Sequence, residues 1–213
     1  MVQMVGFDTT EETLVCGLVA QFAADDFRMG ELKRAEKCTL PGYNGKVVVP
    51  VACPVSDRFE MTMLLSSLNP FTVAHELAHV SDISTRRAES RDHLSLEMPN
   101  SWHLAHRMSS EYYANRVACA YADEHDIFLA FQNDYAGLRH GVATGDWAGM
   151  LIHYALMLGI VHGMDRLDCN PIKLLGDAVR LPRMVQDGID SFRAQAAAFF
   201  DEYGSEQPVA AAA

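Results

Sequence analysis

Two histidines and a glutamate lie within little more than one turn of a predicted helix, in the run His75-Glu76-Leu77-Ala78-His79. Residues four apart on a helix share one face, so His75 and His79 can bind the same metal ion. Glu76 lies one position around the helix, where its carboxylate can take a proton from a metal-activated water without being a ligand itself. This H-E-x-x-H spacing is typical of zinc hydrolases and predicts a catalytic zinc site.

The residues around this motif favour a helix that packs on a core. Asn69 can cap the helix, and Pro70 suits its first position. Val73, Leu77 and Val80 then follow at helical spacing and form an apolar stripe, and the motif's polar residues lie off that stripe. We therefore expect a helix anchored in the core, rather than a surface helix that carries the motif by chance.

A catalytic zinc site needs a third protein ligand, and several acidic residues are candidates. Position 85 is Thr where the metzincin pattern has its third histidine, so that pattern is excluded. Glu111 fits best, because it lies in a run without Pro or Gly that predicts a second helix. Asn115 lies one turn further on the same face and can hold the outer ring nitrogen of a ligating histidine. The other acidic candidates are Glu89, Glu97 and Glu124.

The two motifs together resemble a known family. The run from Phe71 to His79 and the run from Glu111 to Ala118 are similar to the gluzincin metallopeptidases, and most similar to the ImmA/IrrE group. That group has roughly the pattern F-T-x-A-H-E-x-x-H followed by E-x-x-A-[ND]-x-x-A, and the resemblance covers about residues 45–122. It implies a zincin-type α+β core, a Zn²⁺ cofactor and Glu76 as general base. The implied zinc ligands are His75, His79 and Glu111.

Such a site also needs a donor that stabilises the oxyanion formed during hydrolysis. The predicted donors are His103 and Tyr112, both close to Glu111 in the sequence. On an ideal helix His103 lies about 80° around from Glu111, whereas His106 lies about 140° away. The alternatives are therefore His106 and Tyr113, and aromatic residues of this kind also commonly serve in a core or an interface.

Composition excludes several classes of protein. A net charge of −11 without a Lys/Arg cluster disfavours nucleic-acid binding. Five scattered cysteines without a C-x-x-C pair, and the lack of a visible secretion signal, favour reduced thiols and a cytoplasmic location. The apolar run 147–161 is shorter than a membrane span and contains His153, so we expect a buried core helix and no membrane contact.

The pattern along the chain predicts an α+β, predominantly helical fold. A zincin-like core, with a small β-sheet next to the active-site helix, is expected over residues 1–130. A helical extension packed on that core is expected over 131–205, followed by a frayed tail at 206–213. The predicted elements are a helix that begins with a capping box at Thr9–Glu12, weak alternation over 31–39, a strand over 46–51, a short helix over 57–68, a loop over the cleft at 81–100, and helices over 101–124, 146–163, 171–181 and 182–203.

These features predict a zinc metallopeptidase, a hydrolase that cleaves peptide bonds of a polypeptide substrate. Two alternatives stay open: a non-catalytic regulatory or binding protein that keeps zinc for folding, and a zinc hydrolase that acts on a small amide. Ligands of this type can also bind Mn²⁺ or Fe²⁺. An exposed edge strand along the cleft would favour the peptidase, because an extended substrate backbone can pair with it.

Overall fold

A four-stranded sheet and six α-helices make up the parts of the chain that the computed structural model describes, which are residues 2–49, 60–85 and 101–203. The predicted mixed α+β, mainly helical class is confirmed. The strands are β1 (Gln3–Val5), β2 (Leu32–Lys37), β3 (Gly45–Val48) and β4 (Met61–Leu65). The helices are α1 (Thr9–Ala24), α2 (Pro70–Thr85), α3 (Ser101–Ala118), α4 (Glu124–Thr144), α5 (Trp147–Gly163) and α6 (Arg183–Tyr203), with short 3₁₀ helices at Cys119–Tyr121 and Pro171–Leu175.

The sheet has the strand order β1-β2-β4-β3 and lies against α2. β1 and β4 both run parallel to β2, whereas β3 pairs with β4 in the antiparallel direction, with Gly45 opposite Leu65. Alternate residues of β4 are fully buried, as expected for a strand with one face on the core. Among the described residues β3 is an outer strand of the sheet, and it is the strand that begins beside the predicted site.

Helix α2 forms as the sequence predicts. The Asn69 side-chain oxygen caps it by accepting a hydrogen bond from the backbone N–H of Thr72 at 2.7 Å. The predicted apolar stripe of Val73, Leu77 and Val80 is fully buried in the core between the sheet and the helices. Burial of this stripe fixes the rotation of α2, and therefore fixes the direction in which the motif's polar side chains point.

The second half of the fold is a helical layer with α5 at its centre, packed between α3 and α4. The predicted buried core helix is confirmed, because Met150, Tyr154 and Leu158 of α5 are all fully buried. No helix in the described ranges has the length and apolar character that crossing a bilayer requires.

Two glycines of α5 let α3 approach it closely. A Cβ atom added at Gly159 would overlap the backbone oxygen of Tyr112, and one added at Gly163 would lie 2.7 Å from the backbone oxygen of Arg116. Any larger residue at these positions would push the two helices apart. The close crossing brings the α5 backbone within reach of Asn115, whose Cβ lies 3.1 Å from the same added Cβ at Gly159.

Several predicted elements and boundaries in the N-terminal half are wrong. Residues 61–65, predicted as part of a helix over 57–68, form β4. This segment is a strand because its backbone pairs with β2 on one side and with β3 on the other. The cap of α1 is Asp8 rather than Thr9, since Asp8 accepts from the backbone N–H groups of Thr10 and Glu11. α2 continues to Thr85, so residues 81–85 of the predicted loop at 81–100 are helical. The rest of that loop, 86–100, lies outside the described residues, as do positions 50 and 51 of the predicted strand.

Predictions for the C-terminal half also need correction. The helix predicted over 101–124 ends at Ala118, and a separate helix, α4, begins at Glu124 with Asp123 as its cap. The helix predicted over 171–181 is only the 3₁₀ turn Pro171–Leu175. The predicted division between residues 130 and 131 lies inside α4, and the predicted tail at 206–213 lies outside the described residues.

Candidate metal centre

Helices α2 and α3 bring His75, His79 and Glu111 together. The Nε2 atoms of the two histidines are 3.0 Å apart, and Glu111 Oε2 lies 3.4 Å from each of them. Neighbouring ligands of a tetrahedral zinc ion, with bonds of about 2.0–2.1 Å, are separated by about 3.3–3.4 Å. The three side chains thus meet the distance requirement for one small cation, and all three are partly buried.

The hydrogen bonds of Asn115 fix the tautomer of His75. The Asn115 amide nitrogen donates to Asp134 Oδ2 at 3.2 Å and to the backbone oxygen of Leu156 at 3.0 Å. Because a carbonyl can only accept, the Asn115 oxygen must face the His75 ring, where it lies 2.6 Å from Nδ1. His75 Nδ1 therefore carries a hydrogen, so an uncharged ring presents its Nε2 lone pair to the centre.

A second pair of hydrogen bonds fixes His79 in the same way. The Ser110 hydroxyl donates to Asp82 Oδ2 at 3.0 Å, and its oxygen lies 3.1 Å from His79 Nδ1. A hydroxyl that gives its hydrogen to a carboxylate can only accept from the imidazole, so His79 Nδ1 donates. The Nε2 atoms of His75 and His79 face each other at 3.0 Å, and in uncharged rings both would present lone pairs that a cation between them would stabilise.

Glu111 completes the centre with a negative charge. Burial alone would raise the pKa of the Glu111 carboxyl, but rings of His75 and His79 that carry a hydrogen on Nε2 donate to the carboxylate and add positive charge, which holds this pKa well below its usual value. A cation in place of those hydrogens would act on the carboxylate in the same direction. The second carboxylate oxygen, Oε1, lies 3.7 Å from Arg107 Nε, which leaves Oε2 turned to the histidines. An ionised carboxylate and two unprotonated nitrogens are the donor set that a divalent cation requires.

Glu76 is buried beside this centre, with only 4% of its surface exposed. Burial raises the pKa of its carboxyl to about 7; the negative charge of Glu111 adds to the rise, and His75 opposes it. The start of β3 covers this carboxylate, since a Cβ atom added at Gly45 would lie 2.6 Å from Glu76 Oε1. A carboxyl with a pKa near neutrality can both accept and return a proton at physiological pH.

The contact with β3 predicts the effect of Gly45→Ala. The added methyl group should displace the Glu76 carboxylate by about 1 Å; if Glu76 is the general base predicted from the sequence, a displacement of that size should lower the kcat of peptide hydrolysis about 100-fold. Zinc affinity should stay within about twofold of the parent, because no ligand is touched; both quantities can be measured on one preparation. Gly17→Ala is the matched control, since a Cβ atom there meets nothing within 4 Å. Parental kcat in Gly45→Ala would contradict the contact.

The two predicted oxyanion donors have different surroundings. His103 lies on α3 about two turns before Glu111 and is partly buried, and its role stays a prediction. Tyr112 is buried in the core between α3, α5 and α6, where its hydroxyl lies 2.8 Å from His162 Nδ1 and its ring meets Phe192 edge-on. Tyr112 therefore packs in the helical layer, and the structure does not bring it into the group formed by His75, His79 and Glu111.

The buried His162 predicts a pH dependence of stability. Burial, helped by the charges of Arg116 and Arg193, lowers the pKa of His162 from 6.5 to about 4. In this pH range His162 binds a proton in the unfolded chain but not in the folded chain. The free energy of unfolding therefore falls as pH drops from about 6.5 towards 4. His162→Gln should remove about 2 kcal/mol of that loss, measured as the difference in the free energy of urea unfolding between pH 7 and pH 4.5. Both proteins are unfolded with EDTA present, and an equal loss in both would contradict the prediction.

Sequence reasoning missed several side chains that hold the centre. Ser110 has a sequence signal, because it precedes Glu111 on the same predicted helix. Asp134 and His153, whose carboxylate and ring nitrogen lie 3.3 Å apart, have none, because they come from different helices. Of the alternative acidic ligands, Glu124 is exposed in the first turn of α4, and Glu89 and Glu97 lie outside the described residues.

No protein-family model, curated protein or solved structure matches this chain. The side-chain geometry of the centre is therefore the basis for inferring a function. Its elements are two imidazoles of fixed tautomer, one ionised carboxylate, and a buried carboxyl group next to them.

Proposed function

We propose that this chain is a zinc-dependent metallopeptidase of the gluzincin type, with Zn²⁺ held by His75, His79 and Glu111. The observation that carries the proposal is the pair of Nε2 atoms 3.0 Å apart, each 3.4 Å from the carboxylate oxygen Oε2 of Glu111. The hydrogen-bond partners of both imidazoles place a hydrogen on each Nδ1 and so direct each Nε2 atom to the centre. Such a centre can take up a cation in place of a proton shared between the two rings.

Glu76 is the proposed general base. A zinc ion held at the centre would supply Lewis-acid activation of water and of the scissile carbonyl. Glu76 takes the proton of the attacking water and returns it to the leaving amine, which suits a carboxyl with a pKa raised to about 7. It lies one residue from His75 on α2, so the anchored helix sets its distance from the ligands.

A polypeptide substrate is favoured over a small amide by the position of β3. This outer strand of the described sheet begins at Gly45, directly against the Glu76 carboxylate. An extended substrate backbone that paired with β3 would pass over Glu76, and backbone pairing of this kind binds peptides with little dependence on sequence. A small amide would make no use of the strand.

A catalytic role is favoured over a purely structural zinc by the apolar cores. Two clusters of buried apolar residues, one under the sheet and one around α5, form without any of the three ligands. A domain stabilised in this way should stay folded when zinc is removed, unlike small domains that fold only with the metal. We also propose a cytoplasmic location, because the four described cysteines are free thiols.

Metal analysis combined with peptide hydrolysis tests the proposal. The purified protein should contain one zinc per chain and cleave members of a quenched-fluorescent peptide library. 1,10-phenanthroline should abolish cleavage while the thermal melt stays cooperative, and added Zn²⁺ should restore activity; the non-chelating 1,7 isomer is the matched control. Unfolding on chelation would favour the structural alternative, and a protein that binds zinc without cleaving any peptide would overturn the peptidase.

A further inference from the structure

A line of hydrogen bonds continues from the metal centre beyond Asn115. Asn115 on α3 contacts His75 on α2 and also donates to Asp134 on α4 at 3.2 Å. The other carboxylate oxygen of Asp134 lies 3.3 Å from His153 Nδ1 on α5. Four helices thus contribute one side chain each to a single line that ends on a proposed ligand.

The far end of this line is enclosed by the packing of α4 against α5. The side chain of Asp134 is 14% exposed and that of His153 is 35% exposed. The ring of His153 fits only because residue 137 is glycine, since a Cβ atom there would overlap the ring. The proposed hydrolysis uses neither residue, although a carboxylate held away from water is costly unless it has partners.

The charge of Asp134 gives Asn115 one stable orientation. If the Asn115 amide turned over, its oxygen would face both the Asp134 carboxylate and the Leu156 carbonyl, so three acceptors would meet. The amide nitrogen would then face His75 Nδ1, and the ring could accept that bond only with its hydrogen moved to Nε2. A hydrogen on Nε2 would occupy the lone pair that points to the metal.

We propose that Asp134 and His153 are a positioning pair that holds His75 in its metal-binding tautomer through Asn115. Asp134 orients the amide, and His153 keeps Asp134 in place by a hydrogen bond from the α5 side. The inference deepens the proposed function, and it rests on that function only in naming zinc as the cation. The tautomer of His75 can be observed without any metal.

The test combines the ring tautomer with zinc affinity in a graded set of variants. Asp134→Leu removes the acceptor and keeps the number and branching of heavy atoms in the side chain, and Asp134→Asn keeps an acceptor without charge. Asp187→Asn is the charge-matched control in an exposed pair on α6. In metal-free protein labelled with ¹⁵N-histidine, the His75 signals, identified by their loss in His75→Gln, should report a hydrogen on Nδ1. Asp134→Leu should give a mixture of tautomers, Asp134→Asn a smaller change, and Asp187→Asn none.

Zinc affinity, measured by competition with a chelating dye, should follow the same order. Changes of this kind around a ligand typically weaken metal binding 10- to 100-fold, so we expect at least about tenfold for Asp134→Leu. Gly137→Ala leaves Asp134 intact and displaces only the His153 ring, so it tests the pair in a second way; we expect a severalfold loss.

The outcomes separate the inference from the proposed function. Parental tautomer and affinity within twofold in Asp134→Leu and in Gly137→Ala would overturn the positioning pair, whatever the parent's activity. A tautomer change in a parent that does not bind zinc would support the pair and overturn the zinc peptidase. Should Asp134→Leu fail to fold, Asp134→Asn and Gly137→Ala decide the question by the same two measurements.

Discussion

Replacing Glu76 with Gln is expected to lower peptide hydrolysis by about 10²–10⁴-fold, the usual contribution of a general base, while one zinc per chain stays bound. Gln has nearly the shape of Glu and fits the same buried site under Gly45. It has no oxygen that accepts a proton at neutral pH, so only the proton transfer is lost. The proposed ligands, at positions 75, 79 and 111, are unchanged.

The measurement compares kcat/KM on one peptide from the library and the zinc content of the same preparations. Glu12→Gln, a change of the same type at an exposed position on α1, is the matched control and should keep parental activity. Activity within a few-fold of the parent in Glu76→Gln would rule out Glu76 as the base. Loss of zinc together with activity would instead assign Glu76 a role in holding the metal.

Replacing Glu111 with Gln should weaken zinc binding by more than about 100-fold, beyond the 10–100-fold range typical of residues that only support a ligand. The substitution removes the one negative charge among the three proposed ligands and leaves two neutral imidazoles. Arg107, now 3.7 Å from Glu111 Oε1, would also lose its partner and add to the positive charge at the site. Peptide hydrolysis should fall with zinc occupancy and recover in part at high Zn²⁺ concentration.

Three matched variants identify the ligand in the same competition assay. Glu124→Gln should bind zinc like the parent, because Glu124 is an exposed residue in the first turn of α4. Glu89→Gln and Glu97→Gln test the two remaining acidic candidates and should also keep parental affinity. Parental affinity in Glu111→Gln, with a large loss in one of the others, would move the third ligand to that residue.

Local sequence features were sufficient to predict the part of the site carried by α2. The Asn69 cap, the apolar stripe and the histidine spacing all act within one helix, and each has the predicted effect on structure. Asn115 could be predicted from its offset of one turn from Glu111. In each case the residues concerned lie on the same helix, so the helical repeat fixes their relative positions and the sequence is enough to predict them.

The missed elements depend on contacts between distant segments. β4 was predicted as helix because its strand character comes from pairing with β2 and β3, which the segment does not reveal by itself. α4 contains Gly137 and Gly141, which weaken the helical pattern in its sequence. Both positions are occupied by glycine because a Cβ at Gly137 would overlap the His153 ring and one at Gly141 would overlap the α5 backbone. Asp134 was missed together with its helix, so the full set of bonds around His75 could not be predicted.

One of the two groups that orient Asn115 is a main-chain atom, the carbonyl oxygen of Leu156. A substitution at position 156 changes the side chain and leaves this backbone oxygen in place. The hydrogen bond from Asn115 therefore tolerates most substitutions of Leu156 itself. It is sensitive instead to the separation between helices, which Gly159 and Gly163 set. The orientation of His75 thus depends in part on two glycines that lie outside the proposed metal centre and belong to no recognisable motif.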